Sequence, residues 1–151
     1  MELDLLNINS GFYSWIRGGL LVLFVYHVII YIQNKDQLHR YYSIYLLCLT
    51  IYLIRDAFTD PTIQYYYQYL SFTVQFIGYS YFIYFCRSLV ETEKFFPKLD
   101  KFAVWLSYSL LFFTGVLLFI QHFYGYEAQT KAVAYSVPFS SFCAFFIFYM
   151  V

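Results

Sequence analysis

Pro61 to Cys86 reads PTIQYYYQYLSFTVQFIGYSYFIYFC, 26 residues in succession without one charged side chain. A helix rises about 1.5 Å per residue, so about 20 residues cross a hydrocarbon core about 30 Å thick. This stretch is long enough, and Asp60-Pro61 gives it a sharp start. The aspartate can accept a hydrogen bond as an N-cap, and the proline suits the first helical turn. Working outward, the remaining charges fall in short islands that leave four further uncharged gaps. These are Gly18 to Asn34, Tyr41 to Ile54, Phe102 to Tyr126 and Ala132 to Val151, of 17, 14, 25 and 20 residues. The pattern predicts an all-α, polytopic transmembrane helix bundle with five spans, at about 12–32, 38–58, 61–88, 102–123 and 132–151. The second gap is short, and its span needs Arg40 and Arg55 to bury their stems and lift their charged heads to the interface.

Composition agrees with a lipid environment. The chain is 62% hydrophobic, 26% aromatic and 12% charged, whereas soluble domains carry about 25% charged residues. A net charge of +0 leaves no basic stripe to follow phosphates, so nucleic acid is excluded as a partner of this segment. Lipid and protein are the expected partners. Cys48, Cys86 and Cys143 lie in apolar runs and form no CxxC or Cys/His cluster, so they are expected as small buried hydrophobes. The opening residues are acidic (Glu2, Asp4), unlike the basic start of a cleavable signal. The fifth gap reaches Val151 with no closing basic anchor, so the chain is expected to be a piece of a longer protein.

Orientation follows from Lys and Arg. The turns after the first and third spans hold Lys35, Arg40, Arg87, Lys94, Lys98 and Lys101, against Arg17, Arg55 and Lys131 on the other side. The positive-inside rule then places the N-terminus outside and those two turns in the cytoplasm. The longest of these turns, Arg87 to Lys101, mixes both signs of charge around Phe95-Phe96 and Pro97. It is expected to lie at the interface with its phenyl rings among headgroups. A docking site for a cytoplasmic domain is the functional alternative.

Side chains able to do chemistry are sparse. His27, His39 and His122 are separated in sequence, and spacing alone builds no metal site from them. His27 lies within the first span, where ionisable groups are costly and often functional. Its expected state is a neutral imidazole bonded to a neighbouring helix, with ligand binding or proton relay as the functional reading. Gln75, near the middle of the third span, is expected to face another helix and to add on the order of 1 kcal/mol of interhelical hydrogen bonding. His27 and Gln75 are the two intramembrane polar candidates. Pro138 removes a backbone donor and frees the carbonyl of Ala134, which Ser136, Ser140 and Ser141 could satisfy. No phosphate loop, GxSxG elbow or paired-carboxylate site is present, so no catalytic, cofactor-binding or metal-binding residue is expected.

Several short elements resemble the membrane region of the bacterial seven-transmembrane receptors with diverse intracellular signalling modules. Tyr26-His27 precedes Ile29-Ile30-Tyr31, the turn Lys35-Asp36-Gln37-Leu38-His39-Arg40-Tyr41-Tyr42 follows, and Tyr45-Leu46-Leu47 continues into the second span. Phe85-Cys86-Arg87-Ser88-Leu89 and Phe96-Pro97-Lys98-Leu99-Asp100-Lys101 are similar to two further family elements. His27 stands where the family commonly has Asn. The resemblance implies seven spans, an extracytoplasmic sensor ahead of the first, and a cytoplasmic output such as a histidine kinase, a diguanylate cyclase or a DNA-binding regulator. On this reading residues 1–11 are an extracytoplasmic segment and 12–151 a partial seven-transmembrane signalling domain of the bacterial inner membrane. An unknown extracellular ligand, the output domain of the full-length chain and a second copy in a homodimer are its expected partners. A segment of a multi-span transporter or channel is the alternative, and a membrane enzyme with its catalytic groups elsewhere is the third reading.

Overall fold

A computed structural model describes residues 11–54 and 60–150 of the protein. Six helices follow one another: α1 (Gly11–Asn34), α2 (Gln37–Leu53), α3 (Pro61–Val90), α4 (Thr92–Phe95), α5 (Pro97–Tyr124) and α6 (Tyr126–Met150). The fold is all-α, with no strand among the described residues. The expected N-terminal segment, save Gly11, and Arg55 with the end of the second span lie outside the described residues.

The helix starts are written in local chemistry. Asp60 caps α3 by accepting from the Thr62 amide at 2.8 Å, with Pro61 in the first turn, as the Asp60-Pro61 pair predicts. Asp36 does the same for α2, accepting from the Leu38 amide at 3.0 Å. The Arg87 to Lys101 island is more helical than a surface loop. α3 runs on to Val90, Glu91 turns the chain with a φ of 50°, and α5 starts at Pro97. Between them, α4 exposes Phe95 and the chain exposes Phe96, while Thr92 is fully buried.

By length and composition, Ser14–Asn34 in α1 and Pro97–Tyr124 in α5 are apolar enough to cross a membrane. α2 has 17 residues, and α3 carries many tyrosines together with Gln64, Gln68 and Gln75, which lower its apolarity without shortening it. α5 shows how such a helix is used. Ala103, Leu106, Leu110, Thr114, Leu117 and Gln121 recur at three- and four-residue spacing and are buried. Trp105, Tyr108, Phe112, Phe119 and Phe123 cover much of the rest of the helix and are exposed. A helix apolar on all sides belongs in a protein core or in lipid.

Sequential helices pack as neighbours: α1 on α2, α2 on α3, α3 on α5, and α5 on α6, with α6 also reaching α3. Among the described residues α1 touches α2 and no other helix. The centre is built by Phe72, Phe76, Ile83 and Cys86 of α3 against Ala103, Leu106, Leu110 and Leu117 of α5. α2 and α3 meet across an aromatic ladder, Tyr42 on Phe85 and Tyr45 on Phe82, with ring centroids 4.7 and 4.6 Å apart. Gly78 sits at the closest approach of these two helices, where an added Cβ would meet Cys48 Cβ at 3.0 Å. Cys48 and Cys86 are buried free thiols, as expected, and the Cys143 side chain lies outside what is described. Pro138 lies inside α6. Ser136 Oγ there donates to the Val133 carbonyl at 2.7 Å, one residue before the carbonyl that the proline frees.

Candidate functional site

Two polar joints hold the helices together at the end bearing the turns after α1 and α3. The first closes α3, α4 and α5 onto one carboxylate. Asp100, in the first turn of α5, accepts from Arg87 Nε at 2.7 Å and from Arg87 Nη2 at 2.8 Å. Thr92 Oγ1 donates to the same carboxylate at 2.7 Å. The two charged side chains are largely buried, with 18% of Arg87 and 11% of Asp100 exposed. The Arg87 hydrogen bonds foremost, then that of Thr92 and the guanidinium charge, hold the Asp100 carboxyl below its ordinary range, against burial, which pushes the other way. Fork-to-carboxylate pairing fixes orientation as well as distance. Arg87 and Asp100 belong to the two sequence elements that carry the family resemblance on either side of this turn.

Deeper in the bundle the same two helices are joined again. Ser80 Oγ donates to the Ser107 carbonyl at 3.1 Å and Ser107 Oγ donates to the Ser80 carbonyl at 3.3 Å, both side chains being buried. Small hydroxyl residues let two helix backbones approach and bond across the contact. The serines stand seven residues inward from Arg87 and Asp100 respectively. α3 and α5 are thus held in register at two levels. Beside the first joint lies a cavity of about 290 Å³ lined by Gln37, Tyr41, Tyr84, Arg87, Glu91 and Lys94, among others. Its charges are mostly engaged, Arg87 with Asp100 and Lys94 with Glu91.

The second joint is the histidine pair. His27 Nδ1 of α1 lies 2.9 Å from His39 Nδ1 of α2. The Tyr42 ring stands edge-on to His27 at 4.5 Å, and the Tyr26 ring at 5.3 Å. His39 Nε2 faces Asp36 Oδ2 at 4.0 Å. His27 therefore bonds a neighbouring helix, in line with the simpler expectation for it. The view of the histidines as separate is corrected for these two, because the tight turn at Lys35-Asp36 folds α2 back along α1. His122 remains apart, in the last turn of α5.

Gln75 differs from expectation. Its Nε2 donates to the Tyr79 hydroxyl at 2.9 Å, one turn further along the same helix, so its described bond is within α3 rather than between helices. The interhelical amide is instead Gln129, whose Nε2 donates to the Leu117 carbonyl of α5 at 3.3 Å. Gln129 is fully buried, and its Oε1, like that of buried Gln121, has no partner among the described residues. Among those residues no group of three or more His, Cys, Asp and Glu side chains is placed to hold a metal.

The geometry is that of an all-helical domain whose polar groups serve as joints between helices. A family model described as 7TM diverse intracellular signalling matches residues 9–151. No curated protein and no solved structure matches the chain. The matched region takes in every helix, both joints and the two elements that Arg87 and Asp100 connect, and the chain belongs to the 7TM diverse intracellular signalling family.

Proposed function

We propose that this chain is the membrane-embedded transducing part of a bacterial signalling receptor, passing a signal from an extracytoplasmic ligand to a cytoplasmic output domain of the full-length protein. Membership of the signalling family over residues 9–151 carries this reading. Five of the helices cross the inner membrane, α1, α2, α3, α5 and α6, and the N-terminus lies outside. The apolar, exposed faces of α1 and α5 support the crossing, and the excess of Lys and Arg in the turns after α1 and α3 supports the hand. The Arg87, Thr92 and Asp100 joint then lies on the cytoplasmic side, where an output domain would sense it. A helix bundle transmits a signal by exchanging two packings of unequal affinity for the ligand. Here the moving part is a helix held by few polar contacts, against a spine fixed by several.

Reporter fusions test the topology. A cytoplasmic reporter is expected to be active at Lys94 and silent at Glu127, and the reverse pattern would overturn the orientation. The coding sequence downstream tests the output, because a kinase, cyclase or DNA-binding domain is expected after the remaining spans. A second half of similar hydropathy with intramembrane acids would replace this reading with a transporter.

A further inference from the structure

His27 Nδ1 and His39 Nδ1 lie 2.9 Å apart, with ring centroids at 5.1 Å, so one ring gives an N–H and the other a lone pair. We infer that this pair is a proton-sensitive latch, which holds α1 to α2 while one facing nitrogen is unprotonated and lets go when both carry a proton. Two neutral imidazoles have one N–H each, on Nδ1 in the donor ring and on Nε2 in the acceptor ring. A first added proton goes to the open Nε2 of the donor and leaves the bond in place, now charge-assisted. A second can go only to the bonded Nδ1 of the acceptor. Two N–H groups and two positive charges would then face each other, and the contact cannot survive.

The surroundings assign the roles. Asp36 uses Oδ1 to cap α2 and turns Oδ2 toward His39 Nε2 at 4.0 Å. The first added proton therefore sits on His39, which donates its Nδ1–H to His27. The side chain of His39 is 23% exposed, so protons reach the pair from water. The edge-on Tyr26 and Tyr42 rings flank His27, and neither offers it a second proton acceptor. The other charges of the turn look elsewhere, Lys35 over the Tyr31 ring and Arg40 over the Tyr41 ring. From α3, Phe85 faces Tyr42, Tyr81 and Tyr84 face Tyr41, and the cation of Arg87 is turned to Asp100. α1 touches α2 alone among the described residues, so the latch acts on the one attachment of a whole helix. Protonation of facing histidines is a recognised way to reverse a packed contact. The latch belongs to the α1–α2 hairpin and does not depend on what the full-length protein senses or delivers.

The test uses the chain in zwitterionic lipid bilayers, freed of any affinity tag, with its three histidines labelled with nitrogen-15 for solid-state NMR. A nitrogen–nitrogen coupling between the two Nδ1 atoms is expected at about pH 7.5 and should vanish on titration to about pH 4.5. That range stays above the ordinary value of 3.8 for Asp100, so the other joint remains intact. Over the same range the melting midpoint should fall by about 3 °C or more. His39→Asn places an amide where Nδ1 stood, which can give or accept a hydrogen bond, and removes one titrating ring. Its midpoint should stay level within about 1 °C. His27→Ala should be level too, but lower than the wild type at neutral pH, and if it fails to fold His39→Asn carries the test alone. His122→Ala should keep the wild-type fall. Absence of the coupling at neutral pH, or its persistence in acid, overturns the proposal. So does a wild-type midpoint that stays level while the coupling disappears, or a His39→Asn variant that keeps the full acid fall.

Discussion

Replacing Asp100 by Asn keeps the shape of the side chain and removes the charge on which three hydrogen bonds converge. In the folded protein those bonds are 2.7, 2.8 and 2.7 Å long, two from Arg87 and one from Thr92. Breaking a buried ion pair by removing one partner costs about 3–5 kcal/mol, because the other charge is left unpaired. Arg87 is 18% exposed and stands near the end of α3, where a long cation can reach headgroup water. The lower figure, about 3 kcal/mol, is therefore the expected loss. Thr92→Val removes one bond to a charged acceptor and should cost about 1.5 kcal/mol. Reversible unfolding in bicelles is the assay, with a double-mutant cycle on Arg87→Ala and Asp100→Ala. A coupling energy of about 2 kcal/mol is expected, and additivity within about 0.5 kcal/mol would refute a direct pair. Acid gives an independent reading. The Asp100 carboxyl titrates below its ordinary value of 3.8, so its contribution is fully present above that value and is lost as pH falls through the lower folded-state value. Asp100→Asn should flatten that acid limb. An unchanged limb would place the stabilisation elsewhere.

Other positions give sharper single outcomes. Gly78→Leu drives a branched side chain into Cys48, whose Cβ is 3.0 Å from the nearest added atom, and should destabilise the α2–α3 contact by about 1–3 kcal/mol; wild-type stability would show that the helices can part freely. Gln129→Leu removes a bond of 3.3 Å and an unpartnered buried oxygen together, so unfolding should shift by less than about 1 kcal/mol in either direction. A loss above about 2 kcal/mol would mean that Oε1 has a strong partner. Cys48 and Cys86 are 8% and 1% exposed. Maleimide should label them only after denaturation, and rapid labelling in nanodiscs would contradict their burial.

Much of the helix order was legible in the placement of charge. Each long uncharged stretch became a helix over its described part, since a chain that buries its backbone in an apolar medium must satisfy every amide locally. The Asp60-Pro61 start of α3 was readable to the residue because capping is a contact between near neighbours. The joints were harder to see, as they link side chains far apart in sequence. Arg87 and Asp100 lie 13 residues apart, as His27 and His39 lie 12 apart, and each pair spans a turn whose tightness decides whether its members meet. Opposite charges on the two sides of the Arg87 to Lys101 island were the available signal for the first. For the second it was two histidines flanking a turn short enough to force an antiparallel hairpin. The Ser80–Ser107 clasp left no such trace, because serines are common and only the crossing of α3 with α5 selects these two.

That crossing constrains how the domain can move. Seven residues of helix separate each serine from its charged counterpart, a distance of about 10 Å along either axis. A bar fastened at one point can swing, whereas one fastened at two points cannot swing without breaking a fastening. α3 and α5 are therefore held to turn as one piece over that length. α1, which among the described residues packs against α2 alone, shares in neither fastening.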